Sequence, residues 1–299
     1  MAAERVIGVD LGGTKIRAGL VTRDGRILGS VAHPTPTTSQ GALLDALEAA
    51  VRELLSPDIA AVGFGVPSRF DRRTGLALGA VNIPLRDIQF SAEMERRLGM
   101  PVGADNDGNV AALAEFTFGA GRGARDLVML TLGTGVGGGV VIDGRLYRGW
   151  AELGHMVIVE DGEPCQGACS GRGHVESYCS GGAADRAARR LIGSGATARD
   201  LVARDHEVLD EIGAHLGAAI GSLVNVFDPE VVVIGGGFGV GAGGRLLPAA
   251  RMLILREALA PAGQEVRLAL AELGEEAGLI GAALVGFDAL ADRAARPEE

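Results

Sequence analysis

Short runs of aliphatic and β-branched residues, broken by glycine, open the chain. Residues 5–10, 16–22 and 27–31 each read as a strand, with Gly12-Gly13 turning the first pair and Asp24-Gly25 marking a hairpin between the second. The same plan returns over residues 127–132, 137–142 and 146–147, joined by Gly133-Thr134-Gly135 and Asp143-Gly144. Both copies carry Asp-Gly-Arg at the second turn, at residues 24–26 and 143–145. A repeated strand, glycine turn, strand and hairpin predicts a duplicated architecture. Between and after these meanders the period changes. Leu43, Leu47, Val51 and Leu54 recur at spacings of three and four, predicting an amphipathic helix over residues 42–55. Further helices are predicted over 106–118, 174–192, 208–227, 246–259 and 275–290, and strands over 59–66, 102–104 and 231–234. Strands mixed with helices on a duplicated plan predict two α/β domains facing a cleft, with the boundary near residue 118.

Composition narrows the function classes. The chain has 299 residues, room for one large domain or two ordinary ones. Its formal charge of −10 argues against nucleic-acid or membrane partners, and a 47% hydrophobic content excludes disorder. No run of about 18 apolar residues occurs, and Met1-Ala2-Ala3-Glu4 lacks the regions of a signal peptide. The three cysteines are too few and odd in number for a disulfide framework, so a cytoplasmic location is expected. Glycine, at 48 residues, reaches about twice its average share and falls in clusters, which are candidates for close backbone approach to a ligand.

Asp10-Leu11-Gly12-Gly13-Thr14-Lys15 forms the first such cluster, on a strand-to-strand turn. Its N–H groups can cradle a polyphosphate, Thr14 can add a donor, and Asp10 can hold Mg²⁺ through water. It is neither the dinucleotide fingerprint nor the Walker loop, since no helix follows; the plain alternative is a hairpin turn. Gly133-Thr134-Gly135-Val136-Gly137-Gly138-Gly139 repeats the chemistry, and Gly235-Gly236-Gly237 after a buried strand offers a flat surface for a base. Asn106-Asp107 opens a helix after a short strand. The Asp107 carboxylate is either an N-cap or a general base that takes a proton from an alcohol attacking a phosphoryl group.

His155, Cys165, Cys169 and His174 fall within twenty residues, in a loop rich in Gly, Pro and Glu. Two thiolates and two imidazoles make the ligand set of a closed, structural, tetrahedral Zn²⁺ site. Cys179, on a predicted helix, reads as a packing residue.

Taken together, these residues resemble the ROK family (repressors, uncharacterised reading frames and sugar kinases), and within it the bacterial ATP-dependent glucokinases. Five motifs carry the resemblance over almost the whole chain: residues 10–15 and 133–139 for the phosphates, Asn106-Asp107-Gly108-Asn109, Glu152-Leu153-Gly154-His155, and residues 228–237 leading to an adenosine pocket. The resemblance implies a two-domain actin-like (ribonuclease H-like) α/β fold with an interdomain active-site cleft. Residues 1–118 would form the N-terminal domain and 119–279 the C-terminal one, with a helix over about 280–299 returning to the first. It implies that Asp107 is the base acting on a sugar's 6-hydroxyl. Asn106, Glu152, His155 and Glu176 would hydrogen-bond the ring hydroxyls, with backbone contact from Gly65. His155 would give one ring nitrogen to zinc and turn the other toward the sugar. Asp10, Gly12, Gly13, Thr14, Lys15, Gly133, Thr134, Gly135, Gly235, Gly236 and Gly237 would hold ATP with Mg²⁺.

This chain departs from the family pattern in two places. Its metal loop runs Cys165-Gln166-Gly167-Ala168-Cys169, two residues longer between the first ligands than the family's Cys-x-Cys, and His174 replaces the last cysteine. Gly65-Val66-Pro67-Ser68 replaces Gly-x-Pro-Gly, and Asn82-Ile83-Pro84-Leu85 lacks a tryptophan often found nearby. The expected reaction is hexose plus MgATP giving hexose 6-phosphate and ADP, glucose first, with an N-acetylated amino sugar or another hexose as the alternative acceptor. A sugar-responsive repressor needs a helix-turn-helix before the first phosphate strand, which starts here at Arg5; a non-catalytic sugar-binding protein needs no acid at position 107. A homo-oligomer, dimer or tetramer, is expected.

Overall fold

The first glycine-broken run folds as a meander. In this computed structural model, which describes residues 4–71, 73–80, 82–167 and 169–295, strands β1 (Arg5–Leu11), β2 (Lys15–Thr22) and β3 (Ile27–Pro34) pair antiparallel in turn. Helix α1 (Gln40–Leu54) follows, its first turn capped by the Ser39 hydroxyl accepting from Ala42 N–H. Strand β4 (Ile59–Val66), helix α2 (Phe90–Leu98), strand β5 (Val102–Asn106) and helix α3 (Asp107–Phe118) complete the first half. The sheet order is β3-β2-β1-β4-β5, with β4 parallel to both β1 and β5.

The second half repeats this plan strand for strand. Strands β6 (Leu127–Leu132), β7 (Val136–Ile142) and β8 (Arg145–Leu146) form the meander, and β9 (Val231–Gly235) and β10 (Arg267–Leu270) add parallel strands, giving the order β10-β9-β6-β7-β8. Around them lie α4 (Val175–Cys179), α5 (Gly181–Leu191), α6 (Ala198–Ala203), α7 (Val208–Phe227), α8 (Gly237–Glu257) and α9 (Ala262–Glu265). Helix α10 (Ala277–Ala294) closes the described chain, so the last residues of the helix expected over 280–299, residues 296–299, lie outside the described residues, as do Met1-Ala2-Ala3.

Two units result. One comprises Met1–Ala114, Arg148–Trp150 and Glu275–Glu299; the other comprises Glu115–Tyr147 and Ala151–Gly274. In the first unit, Ile7, Val9, Leu11, Leu47, Phe64, Phe90 and Met94 fill one face of the sheet. The other face carries α10, and glycines make that possible. Gly8, Gly63 and Gly103 stand side by side in the strand register. A Cβ on them would lie 2.1 Å from Leu279 O, 1.7 Å from Ala282 O and 2.3 Å from Val285 O respectively. The helix backbone therefore rests directly on the sheet, and part of the glycine excess is spent on packing rather than on ligands.

In the second unit α7 and α8 pack as closely, Gly213 and Gly217 facing Leu246 and Ala250. Helix α8 is long and apolar enough, by length and composition, to cross a membrane, but Leu246, Ala250 and Ile254 sit in the core of this unit. The single helix expected over 174–192 is two: Ser180, in extended conformation, ends α4 and caps α5 through Ala183 N–H. Helix α8 also starts earlier than expected, directly at Gly237, because Gly236, at a positive φ of 79° that favours glycine, turns β9 into it.

Candidate active site

In the first unit, strand register gathers the expected residues. Asp10 stands beside Gly65 in the β1–β4 pair, and Gly65 beside Asp105 in the β4–β5 pair. Asn106 and Asp107 continue from there into α3. All sit at the carboxyl ends of parallel strands, where open α/β sheets place their ligands. Burial is the main cause that pushes the Asp10 carboxyl up to about 6; the nearby Asp107 charge adds to it and Arg17 opposes it. Asp10 also packs against the start of α10, where a Cβ on Gly278 would lie 2.5 Å from its carboxyl carbon. Asp107 is an exposed residue, yet the protein packed around its carboxylate raises its pKa, opposed by hydrogen bonds from Gly108 N–H and the Asn106 side chain. Gly108 N–H donates to both Asn106 Oδ1 and Asp107 Oδ1 at 2.9 Å. Asn106 belongs to the strand rather than the helix and shares the capping with Asp107.

The first glycine turn is closed by Gly12 N–H on Lys15 O at 2.9 Å and held from behind by Thr35, whose hydroxyl donates to Gly12 O at 2.8 Å and whose N–H donates to Thr14 O at 3.0 Å. The Gly13 and Thr14 N–H groups have no partner among the described residues, and the Thr14 and Lys15 side chains are exposed. Ser68, in the family's glycine position, is buried and ties the following loop through Gly79 O at 3.1 Å.

Further groups crowd Asn106. Asp105 Oδ1 accepts from Asn106 N–H at 2.7 Å and from Asn109 Nδ2 at 2.8 Å, while the buried Asn109 Oδ1 has no partner among the described residues. Both line a cavity of about 20 Å³ with Asn106, Arg69, Phe70 and Trp150. Trp150 arrives from residues 148–150, donating through Nε1 to Phe70 O at 3.3 Å beneath the Arg69 guanidinium, 5.2 Å from its ring centroid. Arg148 pairs with Asp288 at 3.2 Å. Sequence reasoning missed this group; the signal available was that Trp150 is the only tryptophan of the chain.

In the second unit, the second glycine turn and the Gly235-Gly236-Gly237 run follow the carboxyl ends of the adjacent parallel strands β6 and β9. A Cβ on Gly236 would lie 2.4 Å from Leu132 O, so the two glycine segments touch, whereas Gly237 faces open space. Glu176, in the first turn of α4, reaches the second turn, its Oε2 accepting from Val136 N–H at 2.8 Å. Glu152 and His155 stand on one short 3₁₀ turn, with His155 Nε2 4.0 Å from Glu152 Oε2.

The other nitrogen of His155 belongs to a cluster. The ligand atoms of His155, Cys165, Cys169 and His174 all lie within 4.8 Å of one another. His155 Nδ1 is 3.2 Å from His174 Nδ1 and 3.7 Å from Cys165 Sγ, and Cys169 Sγ is 3.7 Å from His174 Nδ1. Ideal Zn–N and Zn–S bonds give tetrahedral edges of about 3.3 Å between nitrogens and about 3.6 Å between nitrogen and sulfur. The residues present fit Zn²⁺. Burial, then the neighbouring Cys169, push the Cys165 thiol up to about 11, so a cation is what would make it a thiolate. Cys179 lies outside the cluster, fully buried in the core.

The sequence profile of the ROK family matches residues 6–288. The glucokinase of Streptomyces coelicolor is 35% identical over 307 residues, covering 93% of this chain and 96% of that protein. A crystal structure of a ROK hexokinase from Thermus thermophilus aligns with a TM-score of 0.80 at 36% identity, covering 96% of this chain and 99% of that one. The ROK glucokinase of Streptomyces griseus, solved in complex with glucose and AMPPNP, aligns with a TM-score of 0.79 at 33% identity over 95% of this chain and 99% of that one.

Proposed function

The chain belongs to the ROK family, with its two-domain actin-like α/β fold, and on that premise we propose that it transfers the terminal phosphoryl group of ATP to the 6-hydroxyl of a hexose, glucose first. The observation that carries this reading is the pair of crowded carboxylates, Asp10 and Asp107, at the carboxyl ends of β1 and β5. Asp107 is the general base. As the sugar oxygen attacks, its proton passes to the Asp107 carboxylate, a P–O bond forms to the sugar, and the bond between the terminal phosphorus and its bridging oxygen breaks, leaving ADP. A positioned base contributes about 10²–10⁴ in rate. The raised pKa of Asp107 makes it a better proton acceptor than an ordinary carboxylate while it remains ionised.

Asp10 would hold Mg²⁺, which when bound offsets the charge of the phosphates. A buried Asp10 carboxylate whose proton affinity is raised further by the Asp107 charge is a donor that a divalent cation relieves. Gly65, Asn106, Glu152, His155 and Glu176 bind the ring hydroxyls. Zinc held by His155, Cys165, Cys169 and His174 would take His155 Nδ1 and leave Nε2, beside Glu152, for the sugar. The two glycine turns and Gly235-Gly236-Gly237 take the nucleotide. The enzyme works in the cytoplasm, where its nucleotide is, and as a homo-oligomer. Val226, Met252, Leu255 and Leu259 leave an apolar surface at the ends of α7 and α8, exposed at 72%, 68%, 50% and 73%.

ADP release with MgATP, measured across glucose, mannose, fructose, N-acetylglucosamine, N-acetylmannosamine and no sugar, tests the reading. Strong turnover on glucose is expected. Turnover on an acetylated sugar alone would keep the chemistry and change the acceptor, and no sugar-stimulated turnover would overturn the proposal.

A further inference from the structure

We infer that Glu176 is a positioning residue for the nucleotide, acting through the second glycine turn, in addition to any contact with sugar. The inference rests on the reading of Gly133–Gly135 as a phosphate-binding turn. Three consecutive peptide planes of that turn are held from one side. Gly181 N–H donates to Gly133 O at 2.7 Å, and Gly182 N–H donates to Thr134 O at 3.3 Å. Gln166, the neighbour of Cys165, adds its Nε2 to Thr134 O at 3.5 Å and is itself fixed on Ser180 Oγ at 2.7 Å. The third plane is set by Glu176, whose Oε2 accepts from Val136 N–H at 2.8 Å.

In a trans peptide the N–H points opposite to the C=O. With the Gly133 and Thr134 carbonyls drawn toward α5, the N–H groups of Thr134 and Gly135 face away from it. These two N–H groups have no partner among the described residues. They are the donors an anion would use, and Glu176 fixes the plane immediately after them.

The sequence is shaped to admit this carboxylate. A Cβ on Gly135 would lie 2.3 Å from Glu176 Oε2. Gly135 does not occupy the left-handed region, so backbone conformation alone does not require glycine there. What glycine supplies is space for the acid. A carboxylate accepting from a backbone N–H makes about twice as strong a bond as a neutral acceptor. Its cost is a negative charge beside an anion site, which the arrangement tolerates only if the ordering outweighs the repulsion.

Titration calorimetry with ADP, without sugar, on the zinc-loaded protein tests this. Glu176→Ala is expected to weaken ADP binding by about ten-fold. Glu176→Gln keeps an acceptor for Val136 N–H and should stay within about two-fold of the parent. Gly135→Ala, which evicts the carboxylate, should resemble Glu176→Ala, and the double variant should be no worse than either single one. Melting temperature and metal content should stay at parent values in all of these. ADP binding by Glu176→Ala within two-fold of the parent would confine Glu176 to the sugar and overturn the inference, as would equal weakening by Ala and Gln. If the parent itself fails to bind ADP, the nucleotide reading of the turn falls, and this inference with it.

Discussion

Replacing Asp107 by asparagine removes a proton acceptor and little else. Asparagine keeps an oxygen for Gly108 N–H, which also retains Asn106 Oδ1 at 2.9 Å, so the start of α3 is preserved. The loss of a general base predicts a fall in kcat of about 10²–10⁴, or about 3–5 kcal/mol of barrier. Glucose binding, measured by calorimetry, should stay detectable, because Asn106 and the other sugar contacts remain. The sign of the stability effect is independent of catalysis. Burial raises the folded-state pKa of Asp107 above its unfolded value, so ionisation at neutral pH works against folding and the penalty fades as pH falls. A neutral amide escapes that penalty, and the melting temperature of Asp107→Asn should equal or exceed the parent's at pH 7. The base acts only when ionised and its pKa is raised, so the parent's kcat should be full at higher pH and fall as pH drops, at a higher pH than for an ordinary carboxylate. The coupled assay is ADP release at saturating glucose and MgATP. A kcat within about three-fold of the parent would refute the assignment of the base.

Zinc analysis of purified protein should give about one equivalent per chain, and Cys165→Ser with Cys169→Ser should abolish it and lower the melting temperature; full metal content in that variant would place the ion elsewhere. Gly63→Ala puts a Cβ 1.7 Å from Ala282 O, backbone against backbone, and should cost about 3 kcal/mol, near the upper end of ordinary overpacking. Gly29→Ala, with nothing within 4 Å, should stay within about 0.5 kcal/mol in the same denaturant titration, and equal losses at both sites would refute the packing account of α10. Trp150, the only tryptophan, shares its cavity with Asn106, so glucose should change the intrinsic emission in the parent. A flat glucose titration in a protein that turns glucose over would separate residues 148–150 from the sugar.

What was legible in the sequence is what local chemistry dictates. Glycine and Asp-Gly punctuate the two meanders, and β-branched runs fill them, so both were readable. Leu43, Leu47 and Val51 stand in one buried stripe as their spacing requires. Helix α2 was missed although Phe90, Met94 and Leu98 are all buried, because its remaining positions are mostly charged and a Pro84-containing loop precedes it. Strand β10 has four residues and an exposed first one, too little pattern for any window. The metal ligands were legible as a set, but the choice of Nδ1 for the metal and Nε2 for Glu152 depends on the 3₁₀ turn. Asp105, Arg69 and Trp150 meet only through tertiary placement, and the one mark the sequence carried was that Trp150 is its sole tryptophan.

Duplication supplies the geometry of both half-sites, and substitution at equivalent positions supplies their different chemistry. Asp10 faces Gly65 across β1 and β4 as Thr131 faces Gly235 across β6 and β9. Each pair is followed by the same Leu-Gly step, Leu11-Gly12 and Leu132-Gly133. The first copy therefore carries a carboxylate where the second carries a neutral hydroxyl. One strand further out, Asp105 and Asn106 end the β4–β5 pairing and Asp107 follows them, whereas Ala271-Glu272-Leu273 follows β9–β10, with one acid where the first copy has two. Acids at the first edge suit a cation and a proton acceptor; the ends of β6 and β9 carry none, and the Thr134 and Gly135 N–H groups beside them have no partner among the described residues. Glu176 is the exception: its carboxylate reaches the second turn from α4 and is bonded to Val136 N–H, turned to the backbone of the turn rather than held at a strand end. A chain that merely repeated its fold would have put like charge at both edges. This one keeps a glycine turn in both copies and adds Asp10 and Asp107 only to the first, the pair that suits a cation and a proton acceptor.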